Sequence, residues 1–495
     1  MNIWYLNKSF GTAASKAHRS TNFNGTRLMK NISGKLAICL SFAVILCAGA
    51  SLGMAQGPLL QDIRVYNAKA TPSPTPLVKN TGGSAPAATA PPLRTMRTSF
   101  PALAEVQIPG ISGLLIESLD GKLVAESHST ETFNPASNVK VATAFAVIKT
   151  FGPDFRFMTS VYTDGVIDHA TGVLNGNLYV SGRDPMFTYE HAVDIANELN
   201  RQGIRSVTGD LVVTDNFAMN FSGSAAQSSQ ALFAAIDASK RSAAGTRAWQ
   251  TYLGNSGRYS QITGVPSVSF TGKPYVQGIP SSLHLLFTHE SAPIREIIKA
   301  TLCYSNNFLA ERLGDMLGGA YAVARVVQQN AGVQPAEFTL ATSSGLGINR
   351  VSPSAMMRLL RTFRTELARY KMTFADVMPV AGVDKGTLEN RFADFSMGSV
   401  VGKTGTLPNT DAGVSALSGE INTKNGRYLF VIFNQRGGVQ HFRAFQNSFV
   451  SLVQSQFGGP ATLAYNPVSL DVRLARTRIS YPSGKDTAKS QYLGN

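Results

Sequence analysis

A serine and a lysine three residues apart, Ser137 and Lys140, form the first pair in the chain whose types and spacing could do chemistry. In a helix, side chains at positions i and i+3 lie on one face, within reach of each other. A serine hydroxyl becomes a good nucleophile when a neighbouring base takes its proton. A lysine can be that base if burial or nearby positive charge lowers its pKa from about 10.4. The pair therefore predicts a serine nucleophile with a lysine base.

The surroundings of Lys140 favour this interpretation over an ordinary surface helix. Ser-x-x-Lys also arises by chance, and most copies are solvated. Here the lysine stands in an apolar segment that includes Val139, Val141 and Phe145, where an unpaired charge would be costly. The N-terminal end of such a helix also offers the Ser137 N–H to a developing oxyanion.

A second hydroxyl stands beside an amide at Ser305-Asn306-Asn307. This triplet precedes a helical pattern that begins at Phe308, so taken alone it is more simply interpreted as an ordinary helix cap. The functional interpretation is that Ser305 and Asn307 face the helix of Ser137.

A third group, Lys403-Thr404-Gly405-Thr406, ends an apolar strand. On its own it is a strand end with a glycine bend. An exposed strand edge at this point could also pair with an extended peptide backbone. Its lysine and two threonines could then hold a terminal carboxylate.

The order of these three groups is more specific than any one of them. Ser-x-x-Lys, Ser-x-Asn and Lys-Thr-Gly, in this order, are the active-site triple of penicillin-recognising serine enzymes. Over about residues 105–455 the chain resembles the D-alanyl-D-alanine carboxypeptidase/endopeptidase family of the penicillin-binding protein 4 type (peptidase family S13). The matching segments are Asn134–Lys140, Phe151–Phe157, Asn177–Pro185, Ser305–Glu311, Ser344–Leu346, Gly386–Leu388 with Arg391, and Gly402–Thr406.

The resemblance implies the catalytic roles in a serine DD-peptidase. Ser137 would attack the carbonyl between two D-alanines while Lys140 accepts its proton. Ser305, steered by Lys403, would pass a proton to the leaving amine. The backbone N–H groups of Ser137 and Thr406 would form the oxyanion hole. Water would then hydrolyse the acyl-enzyme, and neither a metal nor a cofactor is implied.

The resemblance also implies the substrate: peptidoglycan stem peptides, cut at a terminal D-alanine, at a cross-link, or at both. β-Lactam antibiotics would acylate the same serine. Asp184 would contact the diamino-acid side chain, the alternative being an Asp-Pro turn. The expected substrate-binding residues are Asn307, Asp184, Lys403, Thr404, Gly405 and Thr406.

The sequence departs from the family pattern near Ser344-Gly-Leu346. Thr342 stands where the family usually has an acidic residue, and Ile348 where it has an arginine, with Arg350 two residues late. Recognition of the substrate side chain is therefore expected to differ. Residues 218–262 also lack family features, which suggests a reduced or rearranged insert.

The elements that must position these residues predict an α+β fold. Alternating residues around the Asp120-Gly121 turn predict a hairpin, and the apolar segment after Asn134-Pro135 predicts a buried helix. Residues 397–406, 412–421 and 427–435 are typical of strands, followed by a helix near Phe442. The resemblance implies a transpeptidase/β-lactamase-like domain: an antiparallel five-stranded sheet flanked by helices and interrupted by an insert.

The expected domain organisation follows composition. Residues 70–92 are rich in Ala, Thr, Pro, Ser and Gly and cannot bury enough apolar surface to order themselves. The expected divisions are an export signal at 1–55, a disordered linker at 56–104, a catalytic domain at 105–160 and 291–457, an inserted region at 161–290, and a flexible basic tail at 466–495.

The N-terminal segment and the charge bear on location and partners. Basic residues, an apolar run from Leu36 to Leu52 and small residues after it are typical of a secretory signal, beginning at Met1 or at Met29. We expect a periplasmic or cell-envelope protein, with membrane association if the segment stays uncleaved. The net charge of +15 has no arginine-rich block, which disfavours nucleic acid as a partner.

Two other functions share some of these features. A serine β-lactamase has the same triple, and Glu337 is the nearest match to a residue that activates a deacylating water, but the expected asparagine is absent. A non-catalytic wall-binding protein would be expected to lack the nucleophile or the base, and both are present. A zinc peptidase is disfavoured because the sequence contains no His-Glu-x-x-His pattern.

Overall fold

One antiparallel sheet contains the predicted hairpin and the three predicted late strands. The computed structural model describes residues 96–482 except 260, 261 and 263. The strands of this sheet are β1 (Arg97–Thr98), β2 (Ile111–Ser118), β3 (Leu123–Ser127), β15 (Val400–Leu407), β16 (Val414–Thr423) and β17 (Gly426–Gln435). Their order is β1-β3-β2-β17-β16-β15, so β15 is an edge strand. The five predicted strands are joined by a sixth, β1, which was not predicted.

Helices cover both faces of this sheet. Because side chains alternate along a strand, Val401 and Val431 face one core, whereas Val400 and Ile432 face the other. The first core includes a buried helix, α2 (Val139–Phe151). The second contains the apolar side of α11 (Val439–Gln456), the helix predicted near Phe442.

Helix α2 holds the Ser-x-x-Lys pair at its start. A 3-10 turn, Ala136–Asn138, leads into it after Pro135, and the helix ends at Gly152, whose φ of +76° favours glycine. The helix is apolar on nearly every side, and ten of its residues are buried. The structure thus confirms the predicted buried helix.

The remaining helices of the described residues pack either on the two cores of this sheet or in separate apolar clusters formed with residues 158–290. They are α1 (Pro101–Ala104), α3 (Tyr189–Arg201), α4 (Ala225–Ile236), α5 (Ala243–Ser256), α6 (Ile294–Tyr304), α7 (Asn307–Asp315), α8 (Ala320–Ala331), α9 (Pro353–Arg369), α10 (Phe374–Val377) and α12 (Leu470–Leu474). A 3-10 turn at Pro335–Glu337 precedes a short strand pair, β13 (Phe338–Thr339) and β14 (Arg350–Val351). Within residues 96–482 no helix is both long and apolar enough to cross a bilayer.

Residues 158–290 add two further sheets. Their strands are β4 (Met158–Thr163), β5 (Val166–Asp168), β6 (Val173–Asn175), β7 (Leu178–Gly182), β8 (Ser206–Val207), β9 (Leu211–Val213), β10 (Ser269–Phe270), β11 (Pro274–Val276) and β12 (His284–Glu290). One sheet has the order β10-β8-β6-β5. The other runs β11-β9-β7-β4-β12 and ends in β18 (Arg478–Ser480).

The two ends of the described chain correct the predicted boundaries. The linker was expected to extend to 104, yet β1 pairs with β3, and Met96 and Leu103 are buried. The tail was expected to be flexible from 466, yet β18 pairs with β12 and Arg473 donates to Glu296 at 2.9 Å. Apolar burial at one end and ion pairs at the other supply the ordering energy. The export signal and residues 56–95 of the linker lie outside the described residues.

Candidate active site

The Ser137 hydroxyl and the Lys140 amine are in hydrogen-bond contact, as the spacing predicts. The two atoms, Oγ and Nζ, are 3.0 Å apart. Nζ also donates to Asn307 Oδ1 at 2.8 Å and to the Ser344 carbonyl oxygen at 2.6 Å. Both of these partners are acceptors only. A neutral amine has two N–H donors and one lone pair, so its lone pair is left for the proton of Ser137.

Burial favours the neutral form of the Lys140 amine. The side chain is fully buried, and burial, together with the nearby charge of Lys403, holds its pKa well below the usual value for lysine. The carboxylate of Glu311 acts in the opposite direction. The net effect lowers the pKa of Lys140, so the amine is more readily neutral and able to accept a proton.

A clamped loop supplies the third partner of Lys140. Glu311 accepts hydrogen bonds from the backbone N–H groups of Ser343 and Ser344, at 3.0 and 2.9 Å. Thr143, one turn after Lys140 on α2, donates to the Ser343 carbonyl at 2.7 Å. The loop is thus tied to α7 on one side and to α2 on the other. This fixes the Ser344 carbonyl that receives Lys140.

The second hydroxyl, Ser305, is paired with the second lysine. Lys403 Nζ donates to Ser305 Oγ at 2.9 Å and to the Thr404 carbonyl at 2.7 Å. Ser305 has a φ of +56°, the left-handed conformation, at the turn between α6 and α7. Burial lowers the pKa of Lys403 to about 7. Ser305 therefore lies next to a group able to exchange a proton near neutral pH.

The edge strand β15 packs tightly against the turn that carries Ser137. A Cβ at Gly405 would lie 2.6 Å from the Pro135 carbonyl oxygen, so only glycine allows this approach. Thr406 accepts a hydrogen bond from Arg443 at 2.9 Å. The strand thereby brings Lys403 through Thr406 to the Ser137 turn.

Asp184 is in a different environment. It lies just after β7, is 2% exposed, and its Oδ1 accepts from the Met186 N–H at 2.9 Å, as in the turn considered as the alternative. Burial, opposed by His191, raises its pKa to about 6. Within the described residues its Oδ2 has no hydrogen-bond partner. None of these contacts is with the triple, and its contact with substrate stays a prediction.

The departures around Ser344 have structural counterparts. Thr342 Oγ1 accepts from Gly345 N–H at 3.0 Å and donates to the Leu346 carbonyl at 2.9 Å, so it closes the loop on itself. Ile348 is 62% exposed. Arg350 forms a two-pronged pair with Asp411, at 3.1 and 2.9 Å. The displaced arginine is thus already engaged by the chain itself.

Glu337, the residue considered for a β-lactamase, serves another purpose. It accepts from Arg358 at 2.5 Å and from the Gln334 N–H at 3.2 Å. These contacts hold the 3-10 turn before β13. Among the described residues no cluster of His, Cys, Asp or Glu could hold a metal ion.

Sequence reasoning missed three contributors to the site: Glu311, the Ser344 carbonyl and Arg443. Glu311 could have been found, because it lies four residues after Asn307 and hence on the same side of α7. A backbone carbonyl has no sequence signature. Arg443 lies in α11, where the sequence pattern identifies the apolar residues that face the core but does not indicate which polar residue contacts β15.

Curated relatives of similar sequence are D-alanyl-D-alanine carboxypeptidases. DacB of Haemophilus influenzae is 23% identical over 443 residues, spanning 69% of this chain and 90% of the relative. The enzyme of Actinomadura sp. strain R39 is 25% identical over 424 residues, spanning 66% and 77% respectively.

Solved structures share the fold. A penicillin G-acylated predatory endopeptidase of Bdellovibrio bacteriovorus, in complex with an immunity protein, aligns with a TM-score of 0.62 and 21% identity over 75% of this chain and all of that one. Penicillin-binding protein 4 of Haemophilus influenzae aligns with a TM-score of 0.52 and 22% identity, over 71% and 97%. The mixed α+β architecture with several sheets is therefore common to these proteins.

The family model that matches is that of the D-Ala-D-Ala carboxypeptidase 3 (S13) family, over residues 102–231 and 263–455. The two matched ranges include every predicted catalytic and substrate-binding residue. The gap between them, 232–262, lies within residues 218–262, which were expected to lack family features, although the model still matches 218–231. The chain belongs to the S13 family of D-Ala-D-Ala carboxypeptidases.

Proposed function

We propose that Ser137 is the nucleophile with which this S13 peptidase attacks the D-Ala carbonyl of peptidoglycan stem peptides. Its Oγ forms a bond to the carbonyl carbon while Lys140 accepts the hydroxyl proton. The Lys140 contacts to Asn307 and Ser344 support this direction of transfer, because they use its N–H groups and leave its lone pair for Ser137.

The oxyanion of the tetrahedral intermediate is bound by the backbone N–H groups of Ser137 and Thr406. Each such donor typically contributes about 3 kcal/mol to the transition state. The C–N bond then breaks, and Ser305 gives its proton to the leaving amine while Lys403 replaces it. The 2.9 Å contact of Lys403 with Ser305 supports this relay.

Water completes the cycle by hydrolysing the ester. Its oxygen bonds to the acyl carbon while its proton passes through Ser305 to Lys403, left neutral by the first step, and the ester C–O bond breaks. Lys140, protonated in the first step, returns a proton to Ser137 Oγ as the acyl group leaves. Asn307 positions the amide of the substrate, and Thr404 and Thr406 hold the carboxylate of the leaving residue. Asp184 binds the diamino-acid side chain.

The same site is proposed to react with β-lactams, whose strained amide presents an equivalent carbonyl and carboxylate. A peptidoglycan substrate also places the enzyme outside the cytoplasmic membrane, in the cell envelope. This fits the signal-like N-terminal segment of the sequence, with membrane attachment if that segment is retained.

The observation that carries the proposal is the 3.0 Å contact between half-buried Ser137 and the fully buried amine of Lys140. The test is labelling of the purified protein with fluorescent penicillin, beside the Ser137→Ala variant, followed by muropeptide digestion. A stable label and D-alanine release that both require Ser137 are expected. Labelling that persists in Ser137→Ala would overturn the assignment, and rapid release of hydrolysed drug would favour a β-lactamase.

A further inference from the structure

A guanidinium group lies at the strand that is proposed to hold the substrate carboxylate. Arg443, on α11, donates from Nη2 to Thr406 Oγ1 at 2.9 Å. Because side chains alternate along β15, Thr404 and Thr406 lie on the sheet face covered by α11, whereas Lys403 and Gly405 lie on the α2 side. Arg443 thus lies on the same face of β15 as Thr404 and Thr406, opposite the face that carries Lys403.

The positive charge here is not neutralised by the chain. No ion pair in the described residues joins Arg443 to a carboxylate. A second arginine, Arg391, lies close enough for the two charges to interact, and it donates only to the amide oxygens of Gln446 and Asn447. Two neighbouring guanidinium groups with neutral partners create a local positive potential that favours an anion.

We propose that Arg443 binds the carboxylate of the leaving residue together with Thr404 and Thr406, and that it makes the enzyme select substrates in which this carboxylate is free. The inference rests on the proposed function. Arg443 is half-buried, so its contact with an anion is only partly screened by solvent. Guanidinium also presents paired donors that match the two oxygens of a carboxylate.

The test compares two peptides, diacetyl-L-Lys-D-Ala-D-Ala and its C-terminal amide, which differ in the carboxylate. The variant Arg443→Gln removes the charge but keeps a side-chain amide donor. We expect it to lose about 10- to 100-fold in kcat/KM on the free acid and to retain its activity on the amide, as for a hydrogen bond to a charged group. Arg443→Lys, which keeps the charge, should restore part of the loss.

The matched control is Arg205→Gln, which removes the same charge from an exposed residue beside β8 and should change neither rate. Equal losses on both peptides would mean that Arg443 only supports the strand, and no loss on the acid would also overturn the inference. If the wild-type protein cleaves neither peptide, the proposed function fails instead. Binding of both peptides to Ser137→Ala, with and without Arg443→Gln, then decides whether Arg443 recognises the carboxylate.

Discussion

The carboxylate of Glu311 accepts a 2.9 Å hydrogen bond from the backbone N–H of Ser344. The carbonyl of the same residue accepts the Lys140 amine at 2.6 Å. The backbone of one residue thus connects an acidic side chain on α7 to Lys140, the proposed general base, on α2. The orientation of the base depends on a residue that makes no direct contact with it.

Replacing Glu311 by Ala is expected to slow acylation by penicillin about 10-fold or more. Two buried N–H groups lose their acceptor, at about 1–3 kcal/mol each, and the loop can rearrange. The charge of Glu311 also raises the pKa of Lys140, so its removal should move the acidic limb of the rate profile to lower pH. Second-order acylation rates measured against pH check both effects. Glu105→Ala, an exposed control, should change neither, and an unshifted limb in Glu311→Ala would contradict the electrostatic role.

The acylation rate of the free enzyme should fall as pH rises through about 7. Burial lowers the pKa of Lys403 to about 7, and only its protonated form can donate to Ser305 while that hydroxyl gives up its proton. Lys140 must be neutral, and its lowered pKa keeps it so on the alkaline side. In Lys403→Arg the group stays charged but cannot give up its proton, so the rate should fall and the activity that remains should lack the alkaline limb. An alkaline limb that persists unchanged in this variant would exclude Lys403 as its source.

Two glycines of one loop provide a test of the packing behind Ser137, the proposed nucleophile. Gly345 and Gly347 both have positive φ, +87° and +71°, so alanine is strained at either position. A Cβ at Gly345 would lie 2.0 Å from the Ala136 carbonyl oxygen, whereas a Cβ at Gly347 meets nothing within 4 Å. Gly347→Ala should therefore lower the free energy of unfolding by about 1–2 kcal/mol, the conformational cost alone. Gly345→Ala should cost more and should also slow acylation, because Ala136 precedes Ser137. Urea unfolding and penicillin labelling measure the two effects. Equal losses of unfolding free energy in the two variants would contradict the prediction, because they would show that the contact with the Ala136 carbonyl adds no cost.

If Asp184 contacts the substrate side chain, selectivity for a free amine should increase as pH rises through about 6. Its raised pKa of about 6 means that the carboxylate forms only above that pH, and only the carboxylate attracts an ammonium group. The measurement is the ratio of kcat/KM for a stem peptide with a free diamino-acid side chain to that for its N-acetylated form. Asp184→Asn should abolish the pH dependence of this ratio. A variant that loses stability but keeps the ratio would assign Asp184 to the Asp-Pro turn alone.

The sheet could be predicted from sequence wherever its strands are long enough to alternate. β2 with β3, and β15 with β16 and β17, were found in this way, with ends shifted by a few residues. β1 and β18 were missed because strands of two and three residues have no measurable period and exist only through their partners. The sheets of residues 158–290 were left undescribed for the same reason, since most of their strands have three residues or fewer.

The site shows a similar division. Ser137, Lys140, Ser305, Asn307 and Lys403 were predicted, and the structure joins them through the two lysines. Motifs reveal such residues because their chemistry restricts the residue type. Contacts such as Arg443 with Thr406 depend on how a helix packs on a sheet, which local sequence does not encode.

The pairing of β18 with β12 has a consequence for how the newly made chain behaves. Synthesis proceeds from the N-terminus, so residues 284–290 emerge long before residues 478–480. Until then β12 has an unpaired edge, the kind of surface that recruits strands from other molecules. Among the described residues β18 is the last strand, and its pairing closes this edge of β12. A truncation before Arg478 is therefore expected to leave the edge open and to increase aggregation.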